Sequence, residues 1–585
     1  MTYAMAQAAS RARTRHVLRR RAFALASALV AALPLLAVVA GLAGTLLLAF
    51  GYPFDDPFAA GGRGASLRPW HDLAAIPGIA TSIALTLWTG IGATLVSVAL
   101  AILVCAWAQG HGIGRKVVRA AAPLLVAPHS AVALGVAMLA APTGWPVGAL
   151  APWLSGHAVP ATPALGGDAL GLALIAALVL KQTPFLILVI ATALGRLPAS
   201  QTTALAGTLG YRYAEGFAKA LLPQIYPRIR MVVLAVLVLS LSVVDVALIL
   251  GPKDPPTLAV VALRELTAAG TRNRYAGAAA ACLLLAIVGA AIALWWSGER
   301  VVMALGRAWI ERGGRGIATA CAARGAAVAV ALGFAAGALS LADLAAWSFA
   351  GAWPTSAPWP SGLTLAHWVA QGRDAGGAAL ATLVIAIGAG AIALLLAVGR
   401  LEFEDRSGPH PAARRPWASL LPLLVPQVAF LFGIRILLTG TRLDGTWAGA
   451  IATQLIVVLP CVYLTLAGPW RELDRRYARS AVTLGAPPRR ALARVKLPLL
   501  AGPILIACAV GVAASADQYL PALLAGSRGV VTLTTSAVAL ATGGDRAAIG
   551  LHATLQWLLP LLVCAVVLAL PVWRGGAGRS PGIAR

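Results

Sequence analysis

Charge is what this chain of 585 residues lacks most: only 11% of its residues are charged, against roughly 25% in an ordinary soluble domain. Acidic residues are the scarcest, 20 against 46 Lys and Arg, and there are only eight histidines and six cysteines. The cysteines (Cys105, Cys282, Cys321, Cys461, Cys508 and Cys564) show no short spacing, so neither a zinc site nor a disulfide framework is readable from them. They read as small apolar packing residues. A membrane-embedded enzyme would need clustered His, Asp, Glu or Cys, and the histidines are scattered. No G-x-x-x-x-G-K-[ST] segment occurs, nor any Gly-Lys pair, so the chain carries no phosphate loop with which to hydrolyse ATP. Alternating segments of about 10 residues, the mark of a membrane β-barrel, are missing as well.

What the chain has instead is long apolar runs, with 59% of its residues apolar. Twelve stretches stand out, at 22–50, 76–107, 120–141, 169–194, 231–251, 277–297, 325–347, 376–399, 418–438, 448–469, 501–524 and 546–573. Each has the length of about 20 residues that a helix needs to cross the hydrocarbon core, and a helix satisfies its own backbone groups there. The expected fold is an all-α integral membrane protein with about twelve transmembrane helices. The segment RARTRHVLRRR (11–21) precedes 29 residues of apolar chain, too long for the ~7–15 of a cleaved signal peptide, so a retained first span is expected.

The formal net charge of +26 would suit nucleic acid, but no basic segment interleaves with stacking aromatics or forms a domain of its own. The partner it points to is the lipid membrane, and no nucleic acid is expected. With the N-terminus inside, 34 of the 46 Lys and Arg fall in cytoplasmic segments and 10 in outer ones, with Lys181 and Arg435 inside spans. That asymmetry is the positive-inside bias, and it places both termini in the cytoplasm.

Two polar stretches repeat at an offset of 275: TLGYRYAEGFAKALLP (208–223) and TLGAPPRRALARVKLP (483–498). The register continues from Ala206 and Ala481 to Gly251 and Gly526 and to Thr257-Leu258 and Thr532-Leu533. Upstream, PLLVAPHSAVALGVAML (123–139) resembles PLLVPQVAFLFGIRIL (422–437), with Pro128, Ala131 and Gly135 opposite Pro426, Ala429 and Gly433. The shift in offset is absorbed by the longer outer loop near 142–168. Repetition on this scale defines architecture: a basic cytoplasmic N-terminus (1–21), a first six-helix unit (22–297), a Gly-rich cytoplasmic linker (298–324), a second six-helix unit (325–573) and a cytoplasmic tail (574–585). Six spans per unit give both units the same orientation, as in parallel-repeat transporters.

Within each repeated loop a small-residue helical stretch ends at Leu209-Gly210 or Leu484-Gly485, where glycine can take a left-handed turn. A second basic segment follows, closed by Leu222-Pro223 or Leu497-Pro498, the proline redirecting the chain. Two short helices in a fixed elbow are expected in each half. A basic inside loop needs charge alone, whereas constant Gly-to-Pro spacing in two copies suits a rigid docking surface. These loops resemble the cytoplasmic loop of binding-protein-dependent ABC importer permeases: Glu-Ala-Ala, three residues, Gly, nine residues, Ile-x-Leu-Pro. The Gly, the spacer and the Leu-Pro fit twice. The Ile position holds Ala220 and Val495, and the Glu-Ala-Ala positions hold Ala204-Leu205-Ala206 and Arg479-Ser480-Ala481, so the glutamate is absent from both. The chain as a whole is similar to fused, twelve-span permeases of the ferric-iron, thiamine and unassigned importer groups.

The resemblance implies a bacterial inner-membrane subunit that forms the translocation pathway. It implies two copies of a cytoplasmic ABC ATPase gripping the elbows, and a periplasmic or extracellular solute-binding protein delivering solute. No cofactor belongs to this chain; ATP and Mg would lie on the partner. The alternative is a major-facilitator-like secondary transporter, which also has two parallel six-helix halves. That class carries its basic signature between spans 2 and 3, and here QGHGIGRKVVRA (109–120) has no Asp in such a turn.

Six residues are candidates for the pathway. Lys181 and Gln182 interrupt an apolar run, where a central charge costs about 2.5–3.5 kcal/mol and calls for a partner or a water-filled cavity. Lys181 either lines the path or serves as an inter-helix lysine. Asp245 and Asp517 follow the two elbows without being register-equivalent, and either face a cationic solute or solvate near the outer mouth. His129 and Gln427, each just after a proline, are equivalent, and are inter-helix partners or solute contacts.

Overall fold

The computed structural model describes residues 32–52, 65–141, 168–313, 318–354, 357, 359–407, 421–526, 529–541 and 543–570. The N-terminal basic segment, the start of the first span, most of the outer loop 142–168 and the tail 574–585 lie outside them. Among the described residues the secondary structure is helical throughout, apart from an isolated bridge between Ala350 and Leu363. Nine helices among the described residues are long and apolar enough to cross a membrane, and two bent pairs raise this to eleven. With the shorter apolar helix Gln427–Gly440, they fall in order on the twelve expected stretches, and are numbered here as spans 1 to 12.

Four spans are not the simple rods expected. Span 3 is two helices, Gly114–Val126 and His129–Ala140, bent by 93°, because Pro128 offers no N–H to continue the first. Its partner in the second half, span 9, is described as a helix from Gln427, the residue after Pro426. In span 5 the helix Tyr213–Ser242 stops at extended Val243, and a short helix Asp245–Leu250 follows. In span 11, Ala501–Ala516 is followed by Asp517, Gln518 and Tyr519 and then by Leu520–Gly526. The sequence register of 275 places Asp245 opposite Leu520, so both halves break at the same point. Spans 6 and 8 run the other way, being longer than a bilayer requires: Thr271–Glu311 has 41 residues and Ala366–Ser407 has 42. At 1.5 Å per residue each is about 60 Å long, roughly twice the hydrocarbon thickness. The stretch expected as a Gly-rich linker from 298 is therefore helical as far as Glu311, and helical again from Ala318.

The two halves share one apolar core, from Val38 and Leu134 in the first to Phe430 and Ile549 in the second. Each half also lends its first span to the other. Span 1 (Ala32–Ala49) crosses span 9 where Gly41 and Gly44 meet Gly433, close enough that a Cβ on Gly433 would fall on the Gly41 carbonyl. Thr45 Oγ1 accepts the Gly433 N–H at 3.2 Å. Span 7 (Ala318–Phe349) crosses span 3 at the equivalent place, where Gly135 leaves room for the Ser340 carbonyl at 2.6 Å from the position of a Cβ. The aligned pair Gly135 and Gly433 is thus explained by one requirement, the backbone approach of a neighbouring span, which small residues permit in membranes. A second recurring bond ties each outer loop to the bundle: Leu258 N–H donates to Thr86 Oγ1 and Leu533 N–H to Thr382 Oγ1, both at 2.9 Å.

Replacing Gly433 with valine should cost on the order of 1–3 kcal/mol through overpacking and lower the thermal unfolding midpoint of the detergent-solubilised chain. Gly440→Val, where nothing lies within 4 Å, should change it far less.

Candidate functional site

The elbows are built alike from the repeated residues. The first arm is Ala199–Thr208 in one copy and Arg475–Thr483 in the other. Gly210 (φ 81°) and Gly485 (φ 87°) then take the left-handed conformation. Around each glycine the same two hydrogen bonds close the helix end. Tyr211 N–H reaches Ala206 O at 3.1 Å and Gly210 N–H reaches Gly207 O at 2.9 Å, while Ala486 N–H reaches Ala481 O and Gly485 N–H reaches Val482 O, both at 3.0 Å. This is the Schellman pattern, and it accounts for the glycine, four residues after the alanine whose carbonyl closes the turn.

The second arm starts as a helical turn, Tyr213–Gly216 or Pro488–Ala491, and widens into a π-turn at Phe217–Leu221 or Leu492–Lys496. Leu222-Pro223 and Leu497-Pro498 come directly after it. A proline ring collides with the carbonyl four residues back in a regular helix, and the wider turn relieves that collision. The leucine-proline pairs therefore do not close the elbow as expected. In the first copy the helix runs unbroken from Tyr213 to Ser242, whereas in the second it bends by 77° at Leu500, two residues past the proline.

Both elbows present bare apolar side chains. Leu484 is 87% exposed, and Leu205, Leu209 and Tyr477 are more than half exposed. No residue of the arm Arg475–Thr483 is buried. Ala204 and Arg479, where the resembled loop has glutamate, also face outward. Underneath, the first elbow is held by Phe217 and Leu221, which are fully buried, and by Tyr213 packed on Gly110. Lys219 lies 3.3 Å from Glu215 and over the rings of Tyr211 and Trp309. The second is held by Lys496 against acids at the end of span 8. Sequence reasoning missed these holding residues, Lys219, Glu402, Asp405 and Lys496.

Where the broken spans meet, four of the six intramembrane candidates gather. Lys181 Nζ donates to the carbonyls of Leu124 (2.7 Å), Leu125 (3.1 Å) and Ala127. These are carbonyls left open where the first helix of span 3 ends. The second helix of span 3 opens with His129, whose N–H donates to Asp517 Oδ1 at 2.6 Å and whose Nδ1 lies 2.5 Å from Oδ2. Asp517 belongs to the other half. Asp245 lies buried at the break of span 5, at the start of the short helix that packs on the second helix of span 3. Gln427 opens span 9 and donates to Gln518 at 3.2 Å. Gln182 is elsewhere: it accepts from Ser97 (3.2 Å) and donates to Ser240 (2.7 Å), stitching spans 2, 4 and 5 within the first half. His129 and Asp517 keep 22% side-chain exposure each, so this junction of the halves is not sealed by protein.

A two-half helical bundle with charges at its centre has the form of a membrane permease. Its relatives have that occupation. The chain is 31% identical over 521 residues, 87% of its length and 92% of the relative's, to the inner membrane ABC transporter permease protein YnjC of Escherichia coli K12. It is 31% identical over 171 residues, 29% of its length and 60% of the relative's, to the trehalose transport system permease protein SugB of Mycobacterium tuberculosis. No family model matches, and no solved structure matches. The chain belongs to the ABC transporter permeases, multi-pass proteins of the inner membrane, and the secondary-transporter alternative finds no support.

Lys181→Met should leave buried carbonyls without their donor, at a cost of about 1–3 kcal/mol. Thermal unfolding of the solubilised chain should register it, with Gln427→Leu, at a half-buried position, affected less.

Proposed function

We propose that the chain forms the translocation pathway of an importer in the bacterial inner membrane, both termini in the cytoplasm, with one soluble ABC ATPase subunit docked on each elbow. The carrying observation is the pair of elbows: the same glycine cap and π-turn at an offset of 275, each crowned with uncovered leucine. An apolar residue as exposed as Leu484, outside the membrane and on a rigid turn, is suited to a partner's groove. ATP and Mg belong to the ATPase, since this chain has no phosphate loop. Solute arrives from a periplasmic or extracellular binding protein.

Closure of the ATPase dimer brings the two grooves together, and the elbows carry that motion into the bundle as a rigid-body rocking of one half on the other. The passage runs between the halves, past His129, Lys181, Asp245, Asp517 and Gln427. The direct His129–Asp517 contact bridges the halves, so it must part or re-form as they rock.

Purified in detergent, the chain should bring down two copies of a soluble ATPase, and a chain that purifies alone would sink the assignment. Leu484→Asp combined with Leu209→Asp should abolish that copurification while leaving membrane insertion intact. Gly210→Val with Gly485→Val, which cannot hold the left-handed cap without strain, should separate ATP hydrolysis from uptake. A double variant that keeps its ATPase and transports normally would refute the role given to the elbows.

A further inference from the structure

A moving handle transmits force only where it is held, and the two elbows are held differently. Resting on the docking reading above, we propose that the second elbow moves the membrane domain through span 8 rather than through its own span 11, and that Lys496 is the positioning residue making that connection.

The second elbow is hinged where it should push. Its distal arm, Pro488–Leu499, meets span 11 at a 77° bend, while the first elbow's arm runs straight into span 5. A bend at a single residue, Leu500, is a weak lever for the helix beyond it. What ties this elbow firmly is the cytoplasmic end of span 8. Lys496 is buried, with Nζ 2.6 Å from Glu402 Oε2 and 2.8 Å from Asp405 Oδ2. Asp405 also takes Arg475 of the proximal arm at 3.2 Å. Arg406 pairs with Glu402 at 2.7 Å and donates to the Pro488 carbonyl at 3.3 Å. Both arms are thus bound to one turn of span 8. The same turn reaches span 10, where Glu404 accepts from Tyr463 at 2.8 Å and from Arg471 at 3.0 Å.

The first half is tied differently: its elbow's ion pair, Lys219 with Glu215, lies within one arm, and further along span 5 Arg230 meets Glu299 of span 6 at 2.8 Å. The shared bonds at Thr86 and Thr382 fix the register of span 2 on span 8, and both helices run unbroken past it. In that register Glu402 and Asp405 fall on Ala106 and Gln109, and Lys496 falls on Leu221. Apolar packing, with the buried Lys219–Glu215 pair inside the arm itself, holds the first elbow where the second is bound to span 8. A buried lysine between two carboxylates is costly to desolvate, and losing one member strands the others. Such a cluster is a poor source of stability for its size and a good source of fixed geometry. Span 8 then acts as the rod of the second half: gripped at its inner end, it carries displacement along some 60 Å of continuous helix to the outer face.

The test uses the full chain copurified with its ATPase, with Cys321, Cys461, Cys508 and Cys564, the cysteines that are not buried, replaced by alanine. Spin labels on Val369→Cys, at the outer end of span 8, and Leu67→Cys, on the outer side of the first half, both exposed, report the distance between the halves. ATP with vanadate should shift that distance in the parent protein. Lys496→Met should keep the ATPase bound and lose the shift, Lys496→Arg should retain it, and the exchange Lys496→Glu with Glu402→Lys should restore it in part. A full shift in Lys496→Met overturns the proposal. Should that variant fail to insert, Glu402→Gln combined with Asp405→Asn, which takes both carboxylates of span 8 from Lys496, is read in the same two ways. Failure of the parent chain to retain an ATPase would instead overturn the docking reading itself.

Discussion

A helix interrupted inside a bilayer exposes peptide groups that no water can satisfy, and the rest of this structure is arranged around that problem. Span 3 breaks at Pro128, and its open carbonyls are taken by Lys181. The amide that begins its second helix is taken by Asp517. The negative end of one helix meets a cation and the positive end of the next meets an anion, as helix dipoles require. One answer comes from the same half and the other from across the interface. Satisfying the backbone and joining the halves are therefore a single act. The charges that looked expensive in the sequence are the means by which a broken span is tolerated, and they lie at the junction of the halves.

Duplication supplied two equal frames, and use has made them unequal. The glycine caps, the π-turns and the threonine bonds to the outer loops recur at fixed offsets. The polar contents do not. His129 faces an aspartate while Gln427 faces a glutamine. One elbow rests on aromatic and aliphatic side chains with an ion pair inside its own arm, the other on acids of span 8. The backbone is shared between the halves at the elbow caps and at the close crossings, and the side chains around them differ.

Much of this was legible in the residues. Twelve apolar runs, the repeat, the elbow glycines and the equivalence of His129 with Gln427 all follow from spacing. The break in span 5 was not legible, because Val243-Val244 contains neither Pro nor Gly and an apolar run reads the same whether straight or interrupted. In span 11, by contrast, Pro521, four residues after Asp517, was a signal available to be read. The overlong spans 6 and 8 were hidden by their charges, which look like loop. Glu402 with Arg406, and Arg400 with Glu404, stand four apart, the spacing of a continuing helix, and that signal was available. The elbow prolines misled for a different reason. A proline redirects a regular helix, and no feature of the sequence announced that the turn before it would be π.

The exchange of first spans has a bearing on how the protein is made. Gly41 finds its seat against Gly433, so the helix that enters the membrane earliest must wait for one synthesised almost four hundred residues later. At translation rates of about 5–20 residues per second that is an interval of roughly 20–80 s. During it, the first helix stands in lipid with its glycine groove open to any other membrane helix nearby. Carrying both halves on one polypeptide ensures that the right neighbour arrives on schedule and in equal number, which two separately translated subunits would leave to chance encounter.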